Sequence, residues 1–274
     1  MKTHQKTKAL AECALMVAFA TVLSIVPLAQ LPYGGSITIA SMLPIVLISY
    51  RRGLLWGTGA GLVFGVIQQL LGLSNLSYFT TWQSIVAIIL LDYLVAFGVA
   101  GLGGAFRKQV KTPRYALLLG AVLASLLRYL CHVVSGATVW AGLSIPTEAA
   151  LAYSLVYNAT YMIPEGLVLA LAAFYLGSVL DFRSEEIRRL PQMREETRTA
   201  SILGIGAGLV LTAALVFDTV TVFSRLQNAE TGEFDVTLLR VPPLEAPWLA
   251  VIVVTAIAVV LAAVMLFVRR RLQK

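Results

Sequence analysis

Charge is scarce in this 274-residue chain: only 13% of residues are Asp, Glu, Lys or Arg, while 58% are hydrophobic. Soluble domains carry about 25% charged and about 45–50% apolar residues, so an ordinary soluble domain and a disordered chain are both excluded. Cysteine is scarcer still. Cys13 and Cys131 lie inside apolar runs, far from any CxxC pattern, which excludes a disulfide-stapled secreted domain. They read as buried free thiols acting as small hydrophobes. Histidine is limited to His4 and His132, and there is no HExxH, no GxSxG and no Cys/His cluster. Metal-dependent and triad catalysis therefore lack their residues, and neither a metal, a cofactor nor an enzymatic activity is expected. The absence of GxxxxGK[ST] means that the chain has no P-loop with which to power pumping by itself. GIGAG at 204–208 lies inside an apolar run and is no nucleotide loop.

What the chain has is apolar length. A spanning helix needs about 20 mostly apolar residues, and runs of that order lie at 9–29, 36–50, 53–72, 83–105, 115–141, 149–180, 199–223 and 246–268. The second is short and carries Pro44, so kinking, tilting and incomplete spanning all stay open for it. The N-terminal MKTHQKTK with its apolar run resembles a signal peptide, but the run is too long for an h-region and reads as an uncleaved helix. The expected fold is all-α: a polytopic membrane bundle with six helices over residues 1–180 and a two-helix hairpin over 199–274. A charged linker, 181–198, joins them, and the hairpin has an outer loop at 224–245. Gly53, Gly57, Gly61 and Gly65 form overlapping GxxxG steps on one face of the third run, a signature of close helix packing.

Basic residues set the orientation. Lys2, Lys6 and Lys8, Arg51 and Arg52, the cluster 107–114, the arginines of 183–198 and those of 269–271 all fall on one face. Only Arg225 and Arg240 fall on the other. The positive-inside rule makes the first face cytoplasmic, with both termini on it. The excess of basic residues, 21 Lys and Arg against 14 Asp and Glu, is thus a topology signal, and no nucleic acid is expected.

Ionisable groups inside spans are expensive and face a cavity or each other. Here they are Glu12, Asp92, Arg128, His132 and Glu165, with Asn158 as a polar addition. Asp92, His132 and Asn158 each lie nine residues from the outer end of their run, roughly 14 Å deep at 1.5 Å per residue. Three helices agreeing on one depth point to one site. Aromatic residues gather there: Tyr93, Trp82, Tyr78, Trp140 and the stripe Tyr153, Tyr157 and Tyr161. A carboxylate, an imidazole, an amide and aromatic faces suit a flat cationic heterocycle, which the carboxylate attracts and the rings stack upon. A purely structural polar network is the competing reading. Arg128 lies one turn below His132, within reach of Asp92 or Glu165, and either a buried structural pair or a ligand role is open to it. Glu12 is expected to snorkel or to pair with a neighbouring helix.

Four stretches resemble the thiamin-specific substrate-binding (S) component of energy-coupling-factor vitamin transporters. They are PYGGSITIASMLPIVLISYRRG (32–53), LLDYLVAF (90–97), LLRYLCHVVSGATVW (126–140) and AYSLVYNATYMIP (152–164). The match in order and spacing covers about residues 8–180. It implies a six-helix membrane receptor for extracellular thiamin that works with a transmembrane (T) subunit and two ATP-binding cassette ATPases. It assigns ligand contact to Asp92, Tyr93, His132, Trp140, Tyr153 and Asn158, with an aromatic between the third and fourth helices at Trp82. Where some relatives have a capping Trp in the first outer loop, this chain has Gly35, with Tyr33 nearby. The resemblance also implies docking to the T subunit through a small-residue face of the first helix, at Ala14 and Ala18. Three alternatives stand beside it: an S component for a thiamin precursor or related heterocycle, a stand-alone secondary transporter relaying protons through Asp92, His132, Arg128 and Glu165, and an intramembrane enzyme.

Overall fold

The computed structural model describes residues 2–31, 35–141, 143, 150–190, 198–226 and 246–272. The chain forms two compact units, Met1–Leu190 and Pro191–Lys274. In the first, helix α1 spans Lys2–Ile25 and is followed by strands β1 (Pro27–Gln30) and β2 (Ser36–Thr38). These pair antiparallel, with Ala29 opposite Ile37. Then come α2 (Leu43–Arg52), α3 (Leu54–Leu71), a 3₁₀ turn at Leu73–Tyr78, α4 (Trp82–Arg107), α5 (Pro113–Thr138) and α6 (Ala150–Val179). The unit closes with a short antiparallel pair, β3 (Leu180–Asp181) and β4 (Arg188–Arg189).

Among the described residues, seven helices are long and apolar enough to cross a membrane: α1, α3, α4, α5, α6 and the two of the second unit. The remaining run, 36–50, is not a single spanning helix. Ser36–Thr38 form β2, and from Leu43 the run enters the ten-residue α2. At 1.5 Å per residue, α2 is roughly 15 Å long, about half a hydrocarbon core. Leu43 through Tyr50 are all buried, so this part of the run is apolar because protein surrounds it on every side. Pro44 sits in the first turn of α2, where its missing N–H costs no helical hydrogen bond. Non-helical backbone at membrane depth is tolerated where protein encloses it, and β2 meets that condition with Ile37 and Thr38 buried.

Two kinds of glycine shape this unit. Gly53 joins α2 to α3 with φ +100°, a conformation strained for residues carrying a Cβ, and it has open space around it. Gly57, Gly61 and Gly65 do the close packing. A Cβ on Gly57 would lie 2.3 Å from Ser49 Cβ, on Gly61 2.4 Å from the Phe97 carbonyl oxygen, and on Gly65 2.7 Å from that of Tyr93. Helix α3 therefore touches α2 and α4 at backbone distance. Gly61→Val forces that contact apart and is expected to destabilise the protein by about 1–3 kcal/mol, the usual range for overpacking. A lowered thermal unfolding midpoint in detergent, with the exposed Gly59→Val unchanged, is the check.

One end of the unit is tied by charge. Glu12 of α1 accepts hydrogen bonds from Arg51 Nε (3.1 Å) and Arg52 Nε (2.6 Å) at the end of α2. Past β3 the chain folds back, burying Phe182. Arg183 donates to Tyr50 Oη (2.8 Å) and to the carbonyls of Lys111 (2.7 Å) and Val110 (2.7 Å). Residues 180–190 thus pack with the first unit, while 191–197 of the charged segment lie outside the described residues.

The second unit consists of α7 (Arg198–Leu226) and α8 (Ala246–Leu272). They run antiparallel: Gly204 faces Arg269, Gly206 faces Met265, and Asp218 accepts a hydrogen bond from Thr255. Ala207, Ala214, Ala258 and Ala262 are buried along the seam, a small-residue interface of the membrane type. Most of the expected outer loop, residues 227–245, lies outside the described residues.

Candidate functional site

Helix α4 is interrupted by a π-helical segment, Ile89–Val95, which contains both Asp92 and Tyr93. Such wide turns shift the register of the side chains that follow them and recur at functional sites. Here neighbouring side chains part company. Asp92 points to α5, where its Oδ1 meets His132 Nδ1 at 2.9 Å and its Oδ2 accepts from Ser135 Oγ at 2.8 Å and Trp140 Nε1 at 3.0 Å. Tyr93 turns toward the end of α3: its hydroxyl accepts from Asn75 Nδ2 at 3.1 Å and crowds Gly72.

With Asp92 as a carboxylate, which only accepts, His132 Nδ1 is the donor of this bond. His132 Nε2 is buried and has no hydrogen-bond partner among the described residues. Asn158 of α6 reaches the same place, donating from Nδ2 to the His132 carbonyl (3.2 Å) and to the Ser154 carbonyl (2.9 Å). Its Oδ1 accepts from the Tyr161 hydroxyl at 2.6 Å. Tyr161 in turn lies edge-on to His132, with ring centroids 6.3 Å apart, and 5.8 Å from Tyr157. The three residues that share one depth in the sequence meet in one network.

Trp140 closes one side, buried against Phe79 (centroids 4.8 Å) and Tyr78 (5.9 Å). Tyr153 is buried on α6 beside Ser154. Trp82 stands apart at the start of α4, 70% exposed. Gly35 borders the site from the β1–β2 connection: a Cβ there would lie 3.0 Å from Tyr161 Cδ1 and 3.2 Å from Tyr157 Oη. Tyr33 lies outside the described residues.

A second buried cluster lies deeper. Arg128 Nη1 donates to Glu165 Oε2 at 2.8 Å and its guanidinium rests over the Phe97 ring, 4.6 Å from the centroid. Glu165 Oε1 accepts from Thr38 Oγ1 at 2.9 Å, and Thr38 is itself bonded to Ser41 (2.8 Å). Arg128 therefore belongs to Glu165 and not to Asp92, and the pair pins α5 and α6 to β2.

Ser135, Ser154, Thr38 and Ser41 are site residues that sequence reasoning missed. Ser135 had a readable signal, since it lies three residues after His132 on one face of a helix. Thr38 had none, because its partner Glu165 is 127 residues away, and Ser41 enters only through its bond to Thr38.

Comparison with known proteins meets this geometry from another direction. The family described as "Thiamine transporter protein" matches residues 10–181, which is more than half of the chain. The chain belongs to this thiamine transporter family. Two curated relatives are both named thiamine transporter ThiT. The one from Bacillus subtilis strain 168 is 35% identical over 182 residues, covering 62% of this chain and 91% of the relative. The one from Lacticaseibacillus paracasei is 28% identical over 175 residues, covering 58% and 81%. The solved structure of ThiT from Listeria monocytogenes superposes with a TM-score of 0.53 at 26% identity, over 63% of this chain and 94% of that one. The family match contains the Asp92 network and the Arg128–Glu165 pair, and ends before α7. The chain is a multi-pass membrane protein of a transporter family.

Loss of a single donor to Asp92 has a bounded effect. Ser135→Ala removes one of three hydrogen bonds to the carboxylate, and a bond to a charged group contributes about 1.5–3 kcal/mol. Stability is expected to fall by no more than about that amount, read as a lowered thermal unfolding midpoint in detergent.

Proposed function

We propose that the chain is the thiamin-binding S component of an energy-coupling-factor transporter. The observation that carries this is the set of donors gathered on the Asp92 carboxyl, with no Arg or Lys among them. A membrane-buried carboxylate is held by an imidazole, a hydroxyl and an indole, while the nearby cation, Arg128, is committed to Glu165. The site thus attracts a cation, and aromatic faces around it favour a flat one. Thiamin meets both demands with its thiazolium ring and its aminopyrimidine. Asp92 supplies the charge, His132 Nε2 and Asn158 the directional polar contacts, and Trp140 and Tyr153 the ring faces. Trp82 completes the proposed set of ligand contacts at the exposed start of α4, and Tyr93, expected from the resemblance to touch the ligand, acts instead by bracing the π segment through Asn75.

The same reading gives the chain a T subunit and two ATPases as partners, with both termini on the cytoplasmic side. Ala14 and Ala18 are both exposed on α1, whose inward face is Cys13, Val17 and Ala20. A small-residue strip open to the bilayer suits close approach of another helix. Ala14→Trp/Ala18→Trp is expected to leave thiamin binding unchanged while abolishing uptake. Radiolabelled uptake in cells expressing this chain with and without the partner subunits is the check. Dependence on the partners supports the S-component reading, and uptake driven by a pH gradient in this chain alone refutes it. The separation of Arg128–Glu165 from Asp92–His132 into distinct clusters supports the receptor over a proton relay through all four.

A further inference from the structure

The basic end of the first unit contains a cleft of about 520 Å³, lined among others by Lys6, Lys8, Arg51, Arg52, Arg107 and Arg183. Its volume falls within the range of about 300–1,000 Å³ typical of ligand sites. Against these six cations stand Glu185 in the wall and Glu12 behind it.

The cations divide into two sets. Arg51 and Arg183 are consumed by structure: Arg51 by Glu12 and by the carbonyls of Ser184 (2.8 Å) and Glu185, and Arg183 by Tyr50 and the 107–111 carbonyls. The others keep donors to spare. Lys6 makes no ion pair among the described residues, and Lys8 reaches Glu185 only at 3.5 Å, with both side chains well exposed. Arg107 spends Nη1 on the Arg51 carbonyl (2.9 Å), leaving its other guanidinium nitrogens for the cleft. Arg52 offers Nη1 after Nε and Nη2 have bound Glu12.

The level of the cleft decides what kind of anion it meets. Gln5, at its rim, is the first residue of the α1 span, Arg107 is the last of the α4 span, and Trp56 lies two residues into the α3 span. The site is therefore at the membrane–water boundary, where tryptophan and cations gather. Beside Trp56, Leu55 is 91% exposed, presenting an apolar surface that continues from the cleft into the bilayer. Basic pockets between spanning helices at this level hold phosphorylated headgroups.

We infer that this cleft binds the phosphate of an anionic lipid headgroup, with the acyl chains lying along the Leu55 face of α3. The inference rests on the membrane-spanning fold and not on the ligand proposed for the Asp92 site. Lys6, Lys8, Arg52 and Arg107 make the phosphate contacts, while Arg51 and Arg183 hold the walls.

The test is native mass spectrometry of the full chain released from detergent with equal amounts of phosphatidylglycerol and phosphatidylcholine, repeated with glycerol 3-phosphate in place of lipid. The expected result is selective retention of phosphatidylglycerol, reduced roughly 10–30-fold in Lys6→Gln/Arg107→Gln. Lys6→Gln alone touches no ion pair and is expected to give a several-fold loss with an unchanged unfolding midpoint. Binding of glycerol 3-phosphate as tight as that of the lipid keeps the phosphate site and overturns the lipid as its source. Equal retention of the two lipids, or equal retention by the double variant, overturns the inference.

Discussion

Asp92→Asn is expected to weaken thiamin binding by at least thirtyfold or so while leaving the protein folded. Asparagine preserves the shape of the side chain and still accepts from His132, Ser135 or Trp140 with its one oxygen. What it removes is the charge. Taking one partner from a desolvated charge pair costs about 2–5 kcal/mol, which corresponds to roughly 30-fold to several-thousand-fold in affinity. The Asp92 side chain is only 14% exposed and has no Arg or Lys bonded to it, so no other group offsets the loss. The effect should depend on the ligand's charge. A neutral analogue carrying the same pyrimidine is expected to lose much less affinity than thiamin on the same substitution. Equal losses for both would show that Asp92 acts through hydrogen bonding and not through charge.

The second large effect is on stability. Arg128 and Glu165 form a buried pair, with side chains 9% and 2% exposed. Breaking such a pair by removing one partner costs about 3–5 kcal/mol, because the other charge is left unpaired in a low dielectric. Arg128→Met and Glu165→Gln are each expected to lower the unfolding midpoint in detergent substantially. The double variant Arg128→Met/Glu165→Leu is expected to recover much of the loss, since no lone charge remains and the apolar replacements fill similar volume. Thr38 then loses its acceptor in Glu165, which sets a limit to the recovery. A double variant no better than the worse single one would mean that the pair's geometry, and not its charge balance, holds β2 against α6.

These two clusters show what the sequence could and could not reveal. Asp92, His132 and Asn158 were legible because depth along a helix is local arithmetic: residues counted from the end of an apolar run, multiplied by a fixed rise. The packing face of Gly57, Gly61 and Gly65 was legible for the same reason. Gly53 falls on that stripe by spacing alone and instead makes the turn between α2 and α3. Hydropathy left the form of 36–50 open, because an apolar run bounded by protein looks the same as one bounded by lipid. The π-helical segment was invisible, since no residue type encodes it, and it separates Asp92 from Tyr93. The choice of Glu165 over Asp92 as the partner of Arg128 was left open because tertiary placement of β2 decides it.

The measurement that bears most directly on the account is calorimetric titration of the purified chain with thiamin, its pyrimidine precursor and thiamin pyrophosphate, with Asp92→Asn alongside. Thiamin is expected to bind in the submicromolar range and the other two more weakly, with the thiamin signal lost in the variant. Tighter binding of the precursor would keep the site and change its substrate. No binding of any of the three by protein with a cooperative unfolding transition would contradict the account.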